Sequence, residues 1–131
     1  MIAKVYLSGS IDGLSNEEKH AWREAFKSMY GAEYCLDPTR RCGEGNSGKD
    51  IVELDLIDMA AADVILVYLT RYSPGTLMEI VYGFRILHKM VIIVHANKDL
   101  NISCWIKNHC HRVFETLQDA KKYIDLHYNI P

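Results

Sequence analysis

The apolar residues of this chain are grouped into short continuous runs, separated by longer segments in which apolar residues recur at helical spacing. Continuous runs at 5–7, 64–69 and 91–94 predict strands that are buried on both faces. Shorter strands are predicted at 33–36 and 112–114. Because the strands alternate with helical segments, the pattern predicts a parallel sheet with helices packed on both faces.

Helices are predicted in the segments between the strands. The first begins after Ser15, where Glu18 completes an S-x-x-E capping box, and it ends at Gly31. Helical spacing and local cap residues predict the other helices over about 49–61, 74–87 and 102–107, and after Thr116. The polar, glycine-rich segment 39–48 is predicted to be a loop of the kind that covers a site.

The order of these elements indicates an α/β fold of the flavodoxin-like, Rossmann-like class. We predict a doubly wound, five-stranded parallel sheet in the order 2-1-3-4-5, with helices on both faces. A length of 131 residues suits one domain spanning 1–131. Ligands of such sheets bind at the carboxyl ends of the strands, so we expect the site among segments 8–13, 37–48, 70–75 and the segment from 95 onward.

Composition narrows the function classes further. Hydrophobic residues make up 49% and charged residues 24% of the chain, and the formal net charge is −2. This composition is typical of a globular protein and gives no basic surface for a nucleic acid polymer. No apolar stretch approaches the roughly 20 residues of a membrane span, and the N-terminal apolar run is too short for a signal peptide. We therefore expect a cytoplasmic protein that binds neither membranes nor nucleic acids.

The cysteines and histidines give little indication of a disulfide framework or a metal site. The four cysteines are Cys35, Cys42, Cys104 and Cys110. They show no C-x-x-C spacing, which favours reduced thiols. His109 and His111 flank Cys110, but adjacent side chains diverge and there is no second cluster to complete a tetrahedral zinc site. We expect no metal.

Two carboxylates stand at positions where a charge requires an explanation. Asp55 lies in the second predicted helix, where three of its four neighbours one turn away are apolar. These neighbours are Ile51, Val52, Asp58 and Met59. Glu79 lies in the third predicted helix beside the small residues Gly75 and Gly83, and the helix dipole is expected to keep it ionised. Without a functional role, Asp55 would be a solvated residue at the edge of the buried stripe, and Glu79 would only complement the dipole.

Two carboxylates that converge on one pocket suit glycosidic chemistry. One attacks the anomeric carbon, while the other transfers a proton or stabilises the oxocarbenium-like charge. A rival motif is GEGNSGKD at 43–50, which matches a nucleotide P-loop except at one position. Asp50 replaces the serine or threonine that binds magnesium, and no apolar strand leads into Gly43. The sequence therefore favours the carboxylate pair.

Three segments together resemble the nucleoside 2-deoxyribosyltransferase family. They are VYLSGSIDG at 5–13, Asp55 with ADVILV at 62–67, and SPGTLMEI at 73–80. The resemblance implies that Glu79 is the nucleophile and forms a covalent glycosyl ester. It also implies that Asp55 acts in acid/base chemistry on the base and that Tyr6 helps to orient the nucleophile.

The resemblance further implies a set of substrate-binding residues. These are Ser8, Gly9, Ser10, Ile11, Asp12, Gly13, Ser73, Gly75, Met78 and Ser103. The family includes transferases that move deoxyribose to another base and 2′-deoxynucleoside 5′-monophosphate N-glycosidases that transfer it to water. Ser73 and Ser103 resemble the nucleotide hydrolases, whereas Asp12 stands where those hydrolases have an arginine and would repel a phosphate. Both substrates therefore stay open.

The implied partners are small molecules: a deoxynucleoside or deoxynucleotide and a free base, with no metal or organic cofactor. A homodimer or a higher homo-oligomer is expected, because a domain this small leaves the outer wall of the pocket incomplete. The apolar segment 103–106 corresponds to one that reaches into a neighbour's site in relatives. The competing class is a non-enzymatic nucleotide-binding module of the same fold.

Overall fold

The computed structural model describes residues 2–41 and 47–129. Five strands and five α-helices alternate along this part of the chain. The strands are β1 (Val5–Gly9), β2 (Cys35–Leu36), β3 (Val64–Leu69), β4 (Met90–His95) and β5 (Arg112–Phe114). The helices are α1 (Asn16–Tyr30), α2 (Gly48–Ala61), α3 (Pro74–Val81), α4 (Cys104–Lys107) and α5 (Leu117–Tyr128). None of these helices is long and apolar enough to span a membrane.

The strands form one parallel sheet in the order β2-β1-β3-β4-β5, which confirms the predicted topology. Successive residues of a strand point to opposite faces of a sheet. In β1, Val5 and Leu7 therefore pack with α1 and α5, whereas Tyr6 and Ser8 face α2 and α3. The sheet is doubly wound, with a separate apolar core on each face.

Three boundaries in and around β1 and β2 differ from the predictions. β1 continues to Gly9, so Ser8 and Gly9 belong to the strand and not to the predicted loop. β2 is only two residues long, because Ala32–Tyr34 form a 3-10 turn after α1. Pro38–Arg41 form a second 3-10 turn, which overlaps the start of the segment 39–48 predicted as a loop. This second turn carries Arg41 into the protein interior.

The third helix also differs from its prediction, since α3 ends early and a π-helical turn follows over Tyr82–Ile86. The Leu87 N–H closes this turn by donating to the Tyr82 carbonyl at 3.0 Å. Gly83 in the turn packs directly on the sheet. A β-carbon at this position would lie only 3.2 Å from Ile65 Cγ1. A side chain there would require Ile65 to shift by a few tenths of an ångström, so the glycine favours this close approach to β3.

A buried arginine supports the carboxyl end of β1. The Arg23 guanidinium donates to the Gly9 carbonyl at 3.1 Å and to the Lys19 carbonyl at 2.5 Å. It also lies over the Trp22 ring, 4.5 Å from the ring centroid. A β-carbon at Gly9 would lie 2.9 Å from Trp22 Cζ2, so this glycine is required by the packing of the tryptophan.

Candidate active site

Glu79 lies in the second turn of α3 and is bonded to the carboxyl end of β1. Its Oε2 atom accepts a hydrogen bond from the Tyr6 hydroxyl at 2.5 Å, and its Oε1 atom accepts one from the Ser8 hydroxyl at 2.8 Å. Tyr6 and Ser8 are two residues apart in β1, so their side chains leave the strand on the same face. One strand therefore fixes both oxygens of the carboxylate.

The surroundings of Glu79 have opposing effects on its protonation. Burial is the largest effect and raises the pKa of Glu79, and the Asp55 charge raises it further. The hydrogen bonds from Tyr6 and Ser8 stabilise the carboxylate and lower this pKa. The net effect raises the pKa of Glu79, and the expectation that the helix dipole keeps the group ionised stays a prediction. Tyr6 keeps its proton, because burial first, and then the charges of Glu79 and Asp55, raise its pKa.

Asp55 is held by an arginine from the turn after β2. Arg41 Nη1 donates to Asp55 Oδ1 at 2.6 Å, and Arg41 Nη2 donates to Asp58 Oδ2 at 2.6 Å. Arg40 Nη2 also lies 2.6 Å from Asp58 Oδ2. Burial is the largest effect on Asp55 and raises its pKa, while the Arg41 charge lowers it. The predicted apolar stripe around Asp55 is incomplete, since Val52 is 56% exposed and the polar Asp58 is buried.

Two cavities meet at Glu79 and Asp55. The first, which we call the charged cavity, has a volume of about 530 Å³. It is lined by Gly9, Ile11, Asp12, Pro38, Arg41, Ile51, Val52, Asp55, Arg71, Tyr72, Ser73, Pro74, Gly75, Thr76 and Glu79. The second, which we call the apolar cavity, has a volume of about 630 Å³ and is lined by Val52, Asp55, Leu56, Gly75, Leu77, Met78, Glu79, Val81, Tyr82 and Ile86. A ligand with one polar and one apolar part would place their junction at the two carboxylates.

The predicted substrate-binding residues after Ser8 have different positions around the charged cavity. Gly9, Ile11 and Asp12 line it. Ser10 is buried, and its hydroxyl bonds to another hydroxyl instead of facing open space. Gly13 forms the turn with a φ of 77°, a conformation that favours glycine. The segment thus supplies three wall residues and two residues that shape the turn.

Hydroxyl groups are linked at the start of α3. The Ser10 hydroxyl donates to the Ser73 hydroxyl at 3.0 Å, and Ser73 donates to the Thr76 hydroxyl at 3.0 Å. Ser73 lines the charged cavity, and Gly75 lines both cavities. A β-carbon at Gly75 would have no heavy atom within 4 Å, so the missing side chain keeps the space before Glu79 open.

Two predicted substrate-binding residues lie outside the charged cavity. Met78 is 72% exposed and lines the apolar cavity. Ser103 caps α4 by accepting a hydrogen bond from the Ile106 N–H at 3.4 Å. It lines a third cavity of about 210 Å³, together with Trp105. Within the described part of one chain, Ser103 is therefore not part of the walls around Glu79.

Two arginines that the sequence did not single out complete the charged cavity. Arg41 stands on the turn after β2, and Arg71 stands on the loop after β3, where its guanidinium donates to the Asp12 carbonyl. Arg71 also passes beside Gly13, whose β-carbon position is 3.6 Å from Arg71 Nη2. The available signal for Arg41 was its pairing with Arg40, ahead of a helix with two aspartates one turn apart. Nothing in the pattern distinguished Arg71 from a surface residue.

The side chains of His109 and His111 are hydrogen-bonded to protein groups. His109 accepts a hydrogen bond from Arg85 Nε at 3.1 Å, and its other ring nitrogen lies 2.6 Å from the Trp105 carbonyl. The His111 ring accepts one from the Val91 N–H at 3.0 Å. Within residues 2–41 and 47–129, no group of three or more His, Cys, Asp or Glu side chains is placed to hold a metal ion. The free thiols there are Cys35, Cys104 and Cys110, and Cys42 lies outside the described residues.

The P-loop-like motif lies partly outside the described residues, which exclude 42–46. Its remaining residues begin α2. The Ser47 hydroxyl accepts from the Asp50 N–H at 3.2 Å, and the Asp50 carboxylate accepts from the Ser47 N–H at 3.4 Å. This capping box accounts for an aspartate at position 50 without any nucleotide.

No protein-family model and no curated protein matches this chain by sequence. Solved structures match it over nearly its whole length. A 2-deoxyribosyltransferase from Bacillus psychrosaccharolyticus has a TM-score of 0.74 at 21% identity, covering 92% of this chain and 92% of that chain. A 2-deoxyribosyltransferase from Leishmania mexicana has a TM-score of 0.72 at 16% identity, covering 96% of this chain and 99% of that chain.

A third similar structure is a CMP N-glycosidase from Clostridium botulinum. Its TM-score is 0.65 at 18% identity, covering 94% of this chain and 98% of that chain. At these identities the similarity shows the fold. The resemblance found in the sequence motifs thus extends to the fold, and the neighbours include deoxyribosyltransferases and a nucleotide N-glycosidase.

Proposed function

We propose that this protein cleaves the N-glycosidic bond of a 2′-deoxynucleoside through a deoxyribosyl ester on Glu79 and passes the sugar to another base or to water. The observation that carries the proposal is the setting of Glu79. Both of its oxygens are held by hydroxyl donors from β1, and it shares two cavities with Asp55. The fold shared with 2-deoxyribosyltransferases and a CMP N-glycosidase supports this class of activity.

In the first step, a carboxylate oxygen of Glu79 attacks C1′ and the C1′–N bond breaks, with its electron pair leaving on the base. Asp55 donates a proton to the departing base, and burial favours the protonated form that this role needs. The Tyr6 and Ser8 hydroxyls favour the ionised form of Glu79 and hold it in one orientation. The product of this step is the deoxyribosyl ester and the free base.

In the second step, a nitrogen of an acceptor base or a water oxygen attacks C1′ from the side that the first base has left. The ester C–O bond breaks, Glu79 regains its negative charge, and Asp55 takes the proton of the acceptor. Two displacements at C1′ give net retention of configuration. Neither step requires a metal or an organic cofactor.

Each of the two cavities is assigned a different part of the substrate. We assign the planar base to the apolar cavity, where Leu56 and Met78 provide apolar contacts. The 5′ end of the sugar is assigned to the charged cavity, which contains Asp12, Ser73 and Arg71. This placement brings C1′, the atom between sugar and base, to the junction at Glu79.

Release of free base is the experiment that tests this function. The purified protein is incubated with 2′-deoxynucleosides and with their 5′-monophosphates, each with and without a second base, and the products are separated by chromatography. A new deoxynucleoside indicates transfer, and free base with free sugar indicates hydrolysis. If no substrate releases a base although nucleotides bind, the non-catalytic nucleotide-binding module is the better interpretation.

A second candidate is a 2′-deoxynucleoside 5′-monophosphate N-glycosidase, and Arg71 is the observation that favours it. The Asp12 carboxylate would repel a phosphate in the charged cavity. Arg71 brings a positive charge to the same wall, and its guanidinium is held on the Asp12 main chain. An arginine from the loop after β3 thus offers the cation that the Asp12 position lacks.

We expect Arg71→Gln to weaken monophosphate substrates selectively, if this second candidate is correct. The loss of one charge-assisted hydrogen bond should raise KM for a monophosphate by about tenfold or more. Deoxynucleosides should be unaffected, and Arg71→Lys should retain part of the affinity. The matched control is Lys98→Gln, which removes a cation from the loop after β4, outside both cavities. An equal effect on nucleosides and monophosphates would contradict a phosphate role for Arg71.

We also propose a homo-oligomer of at least two subunits. Met78 and Ile86 line the apolar cavity, Trp105 lines the third cavity, and each of the three is more than half exposed. Ser103 lines the third cavity together with Trp105, and we assign it to the 5′ end of the substrate in a neighbouring subunit. We expect Ser103→Ala to weaken monophosphates by about 1–3 kcal/mol and to leave nucleosides unchanged. Light scattering measures the assembly, and a strictly monomeric active protein would refute the proposal.

A further inference from the structure

Arg41 is a buried cation that joins two carboxylates of one helix to the turn after β2. Only 6% of the residue is exposed. Its Nη1 and Nη2 atoms each lie 2.6 Å from a carboxylate oxygen, one of Asp55 and one of Asp58. The two aspartates are almost one turn apart in α2, so a planar guanidinium can bridge them with separate nitrogens. This bridge restrains both the arginine and the helix.

The bridge leaves half of the Asp55 carboxylate unoccupied. Oδ1 is bonded to Arg41, whereas Oδ2 accepts no hydrogen bond from residues 2–41 or 47–129. Asp55 lines both the charged and the apolar cavity, as does Glu79. Because one oxygen is fixed by a short bond, rotation of the carboxylate is restricted and the second oxygen has a defined direction.

We propose that Arg41 is a positioning residue for Asp55: it fixes Oδ1, anchors α2 to the turn after β2, and so presents Oδ2 to the departing base. The identity of the group that Oδ2 meets rests on the proposed function. The restraint on Asp55 itself rests on the Arg41 contacts alone. Arg41 therefore acts on the reaction through another residue and need not touch the substrate.

Several charged or titratable groups besides Arg41 face Asp55 and contribute to its pKa. Arg40 and Arg41 approach from the turn after β2, and Asp58 lies on the same helix. Tyr6 from β1 and Glu79 from α3 also respond to the Asp55 charge. Arg41 stabilises the Asp55 carboxylate, so removing the arginine raises the pKa of Asp55 and extends its protonated form to higher pH.

The experiment compares Arg41→Met with the matched control Arg40→Met in the full chain. Arg40 bonds to Asp58 but not to Asp55, so its removal tests the general loss of a cation from this turn. The Asp55 side chain is titrated by carbon-13 NMR, with its resonance assigned by its loss in Asp55→Asn. Base release is measured over the same pH range.

In Arg41→Met we expect Asp55 to titrate at higher pH and kcat to fall by roughly tenfold or more, with a smaller change in KM. The alkaline limb of the rate profile, which reports the loss of the proton from Asp55, should move to higher pH. Arg40→Met should show much smaller changes. Arg41→Lys should restore most of the titration but only part of kcat, because an ammonium cannot bridge both aspartates in the same way.

Unchanged titration and kcat in Arg41→Met, or equal changes in Arg40→Met, would overturn the inference. If the titration moves but the wild-type protein releases no base, the proposed function fails while the restraint on Asp55 remains. Should Arg41→Met fail to fold, the double variant Arg41→Met with Asp58→Asn removes a buried cation together with a buried anion. It still eliminates the contact with Asp55 and allows the same two measurements.

Discussion

Replacing Glu79 by glutamine is expected to abolish base release, with turnover falling by at least about 10³-fold. The amide has the shape of the carboxylate but cannot form the glycosyl ester. It keeps one acceptor oxygen for the two donors Tyr6 and Ser8, so the cost in stability should be only about 0.5–1.5 kcal/mol. Chromatography of the products and thermal unfolding of the variant check the two parts of this expectation.

The matched control for this change is Glu53→Gln, the same substitution at an exposed position of α2. It should leave turnover unchanged. Intact-protein mass spectrometry on a quenched wild-type reaction with a slow substrate should detect a deoxyribosyl adduct, which Glu79→Gln should lack. A Glu79→Gln variant that retains activity within about tenfold of the wild type would rule out covalent catalysis by this residue.

Replacing Asp55 by asparagine is expected to lower turnover by roughly 10²-fold or more while substrate affinity stays close to that of the wild type. A general acid acts mainly in the transition state, so its loss affects the rate more than binding. Asparagine can still accept the Arg41 hydrogen bond through its carbonyl oxygen, so the helix position should be retained. Steady-state kinetics and equilibrium binding of a substrate measure the two effects separately.

Asp58→Asn is the informative comparison, because Asp58 binds the same arginine but lines neither the charged nor the apolar cavity. This variant should lose stability and keep turnover much closer to the wild type. If Asp55→Asn loses binding and rate to the same extent, Asp55 positions the base and does not supply the proton.

Much of the fold could be predicted because its signals are local. β3 and β4 are continuous apolar runs, and Ser15 with Glu18 marks the start of α1 without reference to any other element. The segment after β2 has no such signal. Its 3-10 turn depends on Asp37, which accepts from the Thr39 N–H at 2.8 Å and lies 2.5 Å from Lys27 Nζ of α1. A contact between distant residues cannot be read from local spacing.

The candidate site also has a part that could be predicted from the sequence and a part that could not. The position of Glu79 relative to Tyr6 was suggested by the family resemblance, and strand parity explains why Ser8 reaches the same carboxylate. The directions of Arg41 and Arg71 depend on where two loops fold against α2 and the segment after β1. The raised pKa of Glu79 could not be predicted from the sequence, because the burial that causes it depends on the packing of the whole sheet.

The location of the two hydroxyl donors in β1 has a consequence for how such a protein can evolve. β1 pairs with β2 on one side and β3 on the other, so the sheet fixes the backbone from which Tyr6 and Ser8 reach Glu79. Arg71 belongs to the connecting segment after β3, and such segments tolerate replacement and changes of length. On the proposed function, selection can therefore exchange a group that meets the 5′ end while the support of the glutamate is inherited with the fold. New substrate preferences would therefore arise in the loops.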